Sequence, residues 1–301
     1  MLTVPGGLTL QDISQDGRVL LTFDNTRLGM KGLGAGETRE RDLSWFDWTH
    51  ASDISADGKW VLFEEDSEAA GANYAVALRK MDGSPPVRLG EGYSGGLSRD
   101  GKWAIAVFPS TPERITLLPT GPGEAKEIQV PGLYHFFADR FLPDGQHLVL
   151  TGAEPGHADR TYLQDLHGGK PRPITPEGVV ATVLSPDGKN VAGLDAESKL
   201  TIYSVEGGEP RTVPDSPTGL FPIQWSSDGL SLYVSRDFDL PARIHRVDIA
   251  TGHQQLVREL LPPDSVGIVT IRFIQLGPDA KSYVYSYERA LSELYIAEGL
   301  K

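Results

Sequence analysis

Ser55-Ala56-Asp57-Gly58-Lys59-Trp60-Val61-Leu62-Phe63-Glu64 decides the fold, because the chain repeats it. Related stretches read SQDGRVLLTF from Ser14, SRDGKWAIAV from Ser98, LPDGQHLVLT from Leu142, SPDGKNVAGL from Ser185, SSDGLSLYVS from Ser226 and GPDAKSYVYS from Gly277. The motif aspartates are Asp16, Asp57, Asp100, Asp144, Asp187, Asp228 and Asp279, spaced 41, 43, 44, 43, 41 and 51 residues apart. An aspartate that can bond backbone amides two residues on, followed by a glycine that accepts positive φ, is turn chemistry. One strand should end at each Asp and another begin after each Gly. Three residues before the Asp stand Ile13, Ile54, Leu97, Phe141, Leu184, Trp225 and Leu276, all apolar. A strand–turn–strand unit recurring every 40–45 residues is the period of a four-stranded propeller blade.

Each repeat continues alike. A third strand follows, such as 73–79, 114–118, 161–165, 200–205 or 242–247, then a Gly/Pro turn and a short polar outer strand, such as 87–89 or 211–213. The reading is all-β: one domain over residues 1–301, a seven-bladed β-propeller with four antiparallel strands per blade. Only 22 residues follow Asp279, enough for two strands, whereas 15 precede Asp16. The N-terminal strand Leu2–Pro5 is therefore expected beside Ser292–Ala297, closing the last blade and removing its free edge. Ser67–Met81 and Gln254–Leu261 carry helix formers, but the repeat register places them on a loop with a third strand and on an outer strand.

Composition narrows the function classes. Hydrophobic residues make up 39% of the 301 and charged residues 23%, an ordinary globular balance. The 34 Gly and 22 Pro agree with many turns. A formal net charge of -13 disfavours nucleic acid and anionic lipid. Zero cysteines exclude disulfides, thiolate metal sites and a cysteine nucleophile. The N-terminus lacks the basic start and apolar run of a signal peptide, and no stretch of 18 apolar residues occurs, so direct membrane insertion is not expected. The chain is either cytosolic or part of a longer protein.

Catalytic motifs are wanting. Gly92-Tyr93-Ser94-Gly95-Gly96 fits G-x-S-x-G, but it falls on the first strand of a repeat with no helix after it, so it reads as small residues near the propeller axis. Gly29–Gly36 reads as a flexible hairpin. Arg236-Asp237-Phe238-Asp239 stands in a loop without partner motifs. The seven histidines show no metal-ligand spacing, and Glu64-Glu65-Asp66 reads as a solvated acidic loop. No catalytic residue, metal or cofactor is expected.

One register does point to a site. Four residues before the motif Asp stand Asp12, Asp53, Gly96, Arg140, Val183, Gln224 and Gln275. Polar side chains on innermost strands need partners, so Asp12, Asp53 and Arg140 should face the central channel or pair with each other. The stretch Trp45-Phe46-Asp47-Trp48-Thr49-His50 connects an outer strand to the next inner strand, where connections reach one rim of the channel. Trp45 and Trp48 are either a binding hot spot or packing against the neighbouring blade. His50, Tyr93, His135 and Phe221, with Tyr134, hold equivalent positions and complete the candidate rim.

The S-x-D-G-K turn followed by an apolar strand resembles the TolB-type, WD-repeat-like propeller over the whole chain. More narrowly, DLSWFDWTHASDISADGKWVLFEE (42–65) and YAVALRKMDGSPPVRLGEG (74–92) resemble the C-terminal propeller of acidobacterial membrane serine/threonine kinases. The resemblance implies a non-catalytic sensor or interaction module on the extracytoplasmic side of a bacterial membrane protein. The kinase motifs themselves are absent from this chain. The expected partner is a protein, peptide or small ligand at the channel face, bound by a monomer. The alternative is a propeller enzyme, a hydrolase or lyase, with its site at the central channel.

Overall fold

The computed structural model describes residues 7–110 and 113–298. The motif turns form as their chemistry demands. Ser55 Oγ bonds Asp57 Oδ1 at 2.7 Å and accepts the Trp60 amide at 3.0 Å, and Gly58 takes φ 69° between them. Ser98–Asp100, Ser185–Asp187 and Ser226–Asp228 repeat the arrangement. These bonds hold the Asp57, Asp100, Asp187 and Asp228 carboxyls below the usual carboxylate range.

Five four-stranded antiparallel sheets follow one another along the chain. They start with the inner strands Thr49–Ile54, Tyr93–Leu97, His135–Phe141, Ala181–Leu184 and Phe221–Trp225, and we number them blades one to five. The sixth sheet draws on both ends of the chain. Its inner strand is Ile268–Leu276, its second is the first half of the long strand Tyr283–Ala297, and its outer strands are supplied by β2 (Val19–Leu33) and β3 (Arg41–Asp42). Ser67–Met81 holds only a short 3-10 turn before strand Ala75–Lys80, and Gln254–Leu260 is an outer strand, as the register requires.

The described residues therefore make six blades, not seven. Six apolar clusters fill the six gaps between neighbouring blades. Ile105, Leu117, Phe136, Leu148 and Tyr162 join blades two and three; Met30, Leu43, Ala51, Phe63 and Val284 join blade six to blade one. That last gap is also stitched by Ser286, fully buried, whose Oγ accepts the Ala51 amide and donates to the Thr49 carbonyl, both at 2.9 Å.

The copy around Asp16 makes its turn but no blade. β1 (Gly7–Ile13) pairs with the first half of β2, which pairs with the second half of the last strand, and these three strands project from blade six. Every residue of β1 is exposed, Ile13 at 58%. Elsewhere the second strand stops after 5–7 residues in the first five blades. β2 instead runs 15 residues without a turn, pairing throughout with the last strand. Gly29 and Gly32, expected in a flexible hairpin, lie within it. A Cβ on Gly29 would meet the Tyr287 ring at 2.7 Å, so a side chain there would displace the phenol. The N-terminal part does complete the last blade, but through β2 and β3. Ser292–Ala297 pairs with Val19–Asp24; Leu2–Pro5 lies outside the described residues.

Candidate functional site

All six inner strands shift register about one turn of chain before the motif Asp, between Ala51 and Asp53, Ser94 and Leu97, Ala138 and Arg140, Ala181 and Val183, Pro222 and Gln224, and Arg272 and Gln275. A bulge bends a strand and re-aims its side chains. Here the bypassed residues, among them Ser52, Asp139, Thr182 and Ile223, line a channel cavity of about 930 Å³. The glycine pair of blade two fits the same narrowing. A Cβ on Gly95 would lie 2.2 Å from the Ala138 carbonyl oxygen, and one on Gly96 would lie 3.1 Å from Arg140. The G-x-S-x-G match is thus a strand in close contact with its neighbour, not a nucleophile elbow.

Arg140 crosses this channel. It pairs with Asp53 of blade one, donates to Gln275 Oε1 of blade six at 2.7 Å and reaches the Ser52 carbonyl at 3.4 Å. Asp53 also accepts the Ile54 and Leu97 amides, both at 2.8 Å. Blades three and six face each other across a six-membered ring, so this bridge closes the channel like a bolt. Asp53 and Arg140 do pair, as the sequence register suggested. Asp12 does not join them: it lies on the projecting β1, where its carboxylate accepts the Ile13 amide. Next to the bolt, burial pushes the Asp139 carboxyl up to about 6 against the opposing pull of Arg140, and Thr151 donates to it at 3.3 Å. Asp139 was missed because the sequence reading took only the neighbouring register.

The starts of the inner strands gather at one mouth. Tyr93 packs against Tyr74 at 4.5 Å between ring centroids and against Phe137 at 5.7 Å; His135 meets Phe137 at 5.5 Å. The neighbouring Tyr74 hydroxyl, with burial, pushes the Tyr93 phenol up to about 12. His50 stacks near Phe273 at 4.8 Å. Phe137, Phe221 and Phe273 are large exposed apolar side chains and all line the cavity, as do His50, Glu64 and Tyr93. His50 and His135 each have a carboxylate of their own, Asp66 at 3.1 Å and Glu113 at 3.0 Å. His135 and the exposed Tyr134 sit beside the mouth without lining the cavity.

Trp45 takes the packing role. Trp45 stacks on Phe46 at 4.7 Å, sets its edge to Phe63 at 6.0 Å and packs on the cluster between blades six and one. Neither Trp45 nor Trp48 lines the channel cavity. What fixes their loop is Glu65, which is 0% exposed. Its carboxylate accepts the Trp48 amide at 2.8 Å, the Phe46 amide at 3.2 Å and the Thr49 hydroxyl at 2.6 Å. The expected solvated acidic loop is therefore largely buried. Pairing alternates the side chains of strand Trp60–Glu65 between two blade interfaces, which turns Glu64 toward blade two and Glu65 toward the tryptophan loop.

No protein-family model matches the chain, and no curated protein matches it in sequence. Similar solved structures exist. A putative TolB from Agrobacterium tumefaciens aligns at TM-score 0.64 and 18% identity, covering 88% of this chain and 99% of that one. TolB from Acinetobacter baumannii aligns at TM-score 0.58 and 18% identity, over 81% of this chain and 67% of that one. An oligogalacturonate lyase from Vibrio parahaemolyticus aligns at TM-score 0.51 and 13% identity, over 93% and 77%. At these identities the likeness is one of fold: the chain is an all-β propeller similar in fold to TolB.

Proposed function

We propose that the chain is a non-catalytic binding propeller that receives an extended peptide segment of a partner protein at the aromatic mouth of its channel. The carrying observation is the exposed set of Phe137, Phe221 and Phe273 around a cavity of about 930 Å³ that the Arg140 bolt closes within. Aromatic side chains exposed around a concavity are anchor sites for apolar side chains of a ligand. The net charge of -13 favours a basic or neutral partner. The propeller acts as a monomer, with no nucleic acid and no insertion into lipid. Its place on the extracytoplasmic side, behind a membrane helix of a receptor-like kinase, is supported by segments 42–65 and 74–92 alone.

Peptide display against the purified chain tests this reading. Enriched sequences should share apolar residues with a neighbouring Lys or Arg, and Phe137→Ala and Phe221→Ala should each weaken binding about tenfold or more. Unchanged binding in both variants would refute it. A second reading, a channel enzyme, is favoured by Asp139 alone, since a carboxyl held at about 6 in a cleft suits general acid–base work. Turnover of an oligosaccharide that Asp139→Asn abolishes would establish it.

A further inference from the structure

His50, Glu64 and Asp66 come from two paired strands of blade one and the residue after them. Each offers a ligand atom, and these atoms all lie within 4.8 Å of one another. We propose that these three side chains bind a divalent zinc ion at the aromatic mouth of the channel. The proposal does not depend on what ligand the mouth receives.

The geometry is close to what one ion needs. Ligand atoms about 2.0–2.2 Å from a tetrahedral zinc are about 3.3–3.6 Å apart. His50 Nε2 and Asp66 Oδ1 are already 3.1 Å apart. The Glu64 ligand oxygen lies within 4.8 Å of both. One Glu64 oxygen is held by the Ser94 amide at 2.6 Å, the kind of backing bond that orients a metal-binding carboxylate. The Phe273 ring against His50 restrains the imidazole.

Charge argues the same way. Among the described residues, neither Glu64 nor Asp66 pairs with a lysine or arginine; Asp66 pairs only with His50. Glu64 is 9% exposed, so its carboxylate has little water to balance it. With an ion bound, the two carboxylates would balance its charge. Beside them Ser94 Oγ is buried without a partner. One nitrogen and two oxygens suit zinc better than calcium or magnesium, which prefer more oxygens. Three protein ligands leave a fourth position, and both His50 and Glu64 line the cavity, so it opens toward the channel.

The test is titration of Zn2+ alone into chelator-treated full chain, followed by calorimetry, with Ca2+ and Mg2+ as comparisons. The proposal expects one equivalent of zinc, and binding weakened more than about tenfold in both His50→Ala and Glu64→Gln. Glu177→Gln, which breaks the exposed His157–Glu177 pair, should leave it unchanged. X-ray absorption and anomalous diffraction of the zinc-loaded natural chain provide a readout that needs no variant. They should show one imidazole among oxygen ligands at His50. Absence of stoichiometric binding, affinity in both variants equal to that of the natural chain, or an ion placed elsewhere would overturn the proposal.

Discussion

Replacing Arg140 with methionine removes the channel bolt while keeping most of the side-chain volume. The loss comprises the Asp53 ion pair, the 2.7 Å bond to Gln275 and the longer bond to the Ser52 carbonyl. Breaking a fully buried pair costs about 3–5 kcal/mol, whereas an exposed pair is worth about 1 kcal/mol or less. The Arg140 and Asp53 side chains are 30% and 17% exposed, between these limits. Asp53 also keeps its two backbone amides. The cost of Arg140→Met should therefore be about 2 kcal/mol. Asp53→Asn and the double variant complete a cycle whose coupling should be about 1–2 kcal/mol. Urea unfolding followed by fluorescence of the five tryptophans reads these values. A loss below about 0.5 kcal/mol, with coupling near zero, would show that the bolt is a solvated contact rather than a structural tie.

Three further outcomes follow from the same structure. Deleting residues 1–18 removes β1 and its turn but no blade, so the ring should melt within a few degrees of the full chain; collapse of the fold would restore the seven-blade reading. Ser286→Ala removes two buried bonds across the gap between blades six and one, and should cost about 1–3 kcal/mol in thermal melts; a cost near zero would place ring closure in apolar packing alone. Asp139 has a folded pKa of about 6 against 3.8 unfolded, so the native state holds the proton more tightly. Its contribution is full below about pH 4 and is lost as pH rises through about 6, an effect of at most ~3 kcal/mol and nearer about 1–2 kcal/mol because the side chain lines an open cavity. Asp139→Asn should flatten that part of the stability–pH curve, and an unchanged curve would contradict the carboxyl's placement.

The propeller was legible because its turn is local chemistry. Ser, Asp and Gly specify the same bonds at Ser55 and at Ser14, together with the same register shift in the strand before. For that reason the motif could not tell a blade from a projecting hairpin. The distinction lies in long-range pairing: residues 19–33 and 283–297 each run 15 residues without a turn and pair with each other along their whole length. The pairing of Asp53 with Arg140 was legible because polar residues recurred on strands that had to be inner. The role of Glu65 was not. A run of Glu-Glu-Asp looks solvated until strand pairing alternates its members between two interfaces. Trp45 was left open between ligand contact and packing, since an aromatic residue on a connection packs inward as readily as it meets a ligand; it packs on the cluster between blades six and one.

The central claim is that the aromatic mouth receives a peptide. Hydrogen exchange of the chain with and without a display-selected peptide tests it most directly. Protection should appear in the opening residues of inner strands Thr49–Ile54, Tyr93–Leu97, His135–Phe141, Phe221–Trp225 and Ile268–Leu276, with outer strands unchanged. Protection confined to outer strands, or to the projecting β1 and Ser292–Ala297, would contradict the account and move the binding surface off the channel.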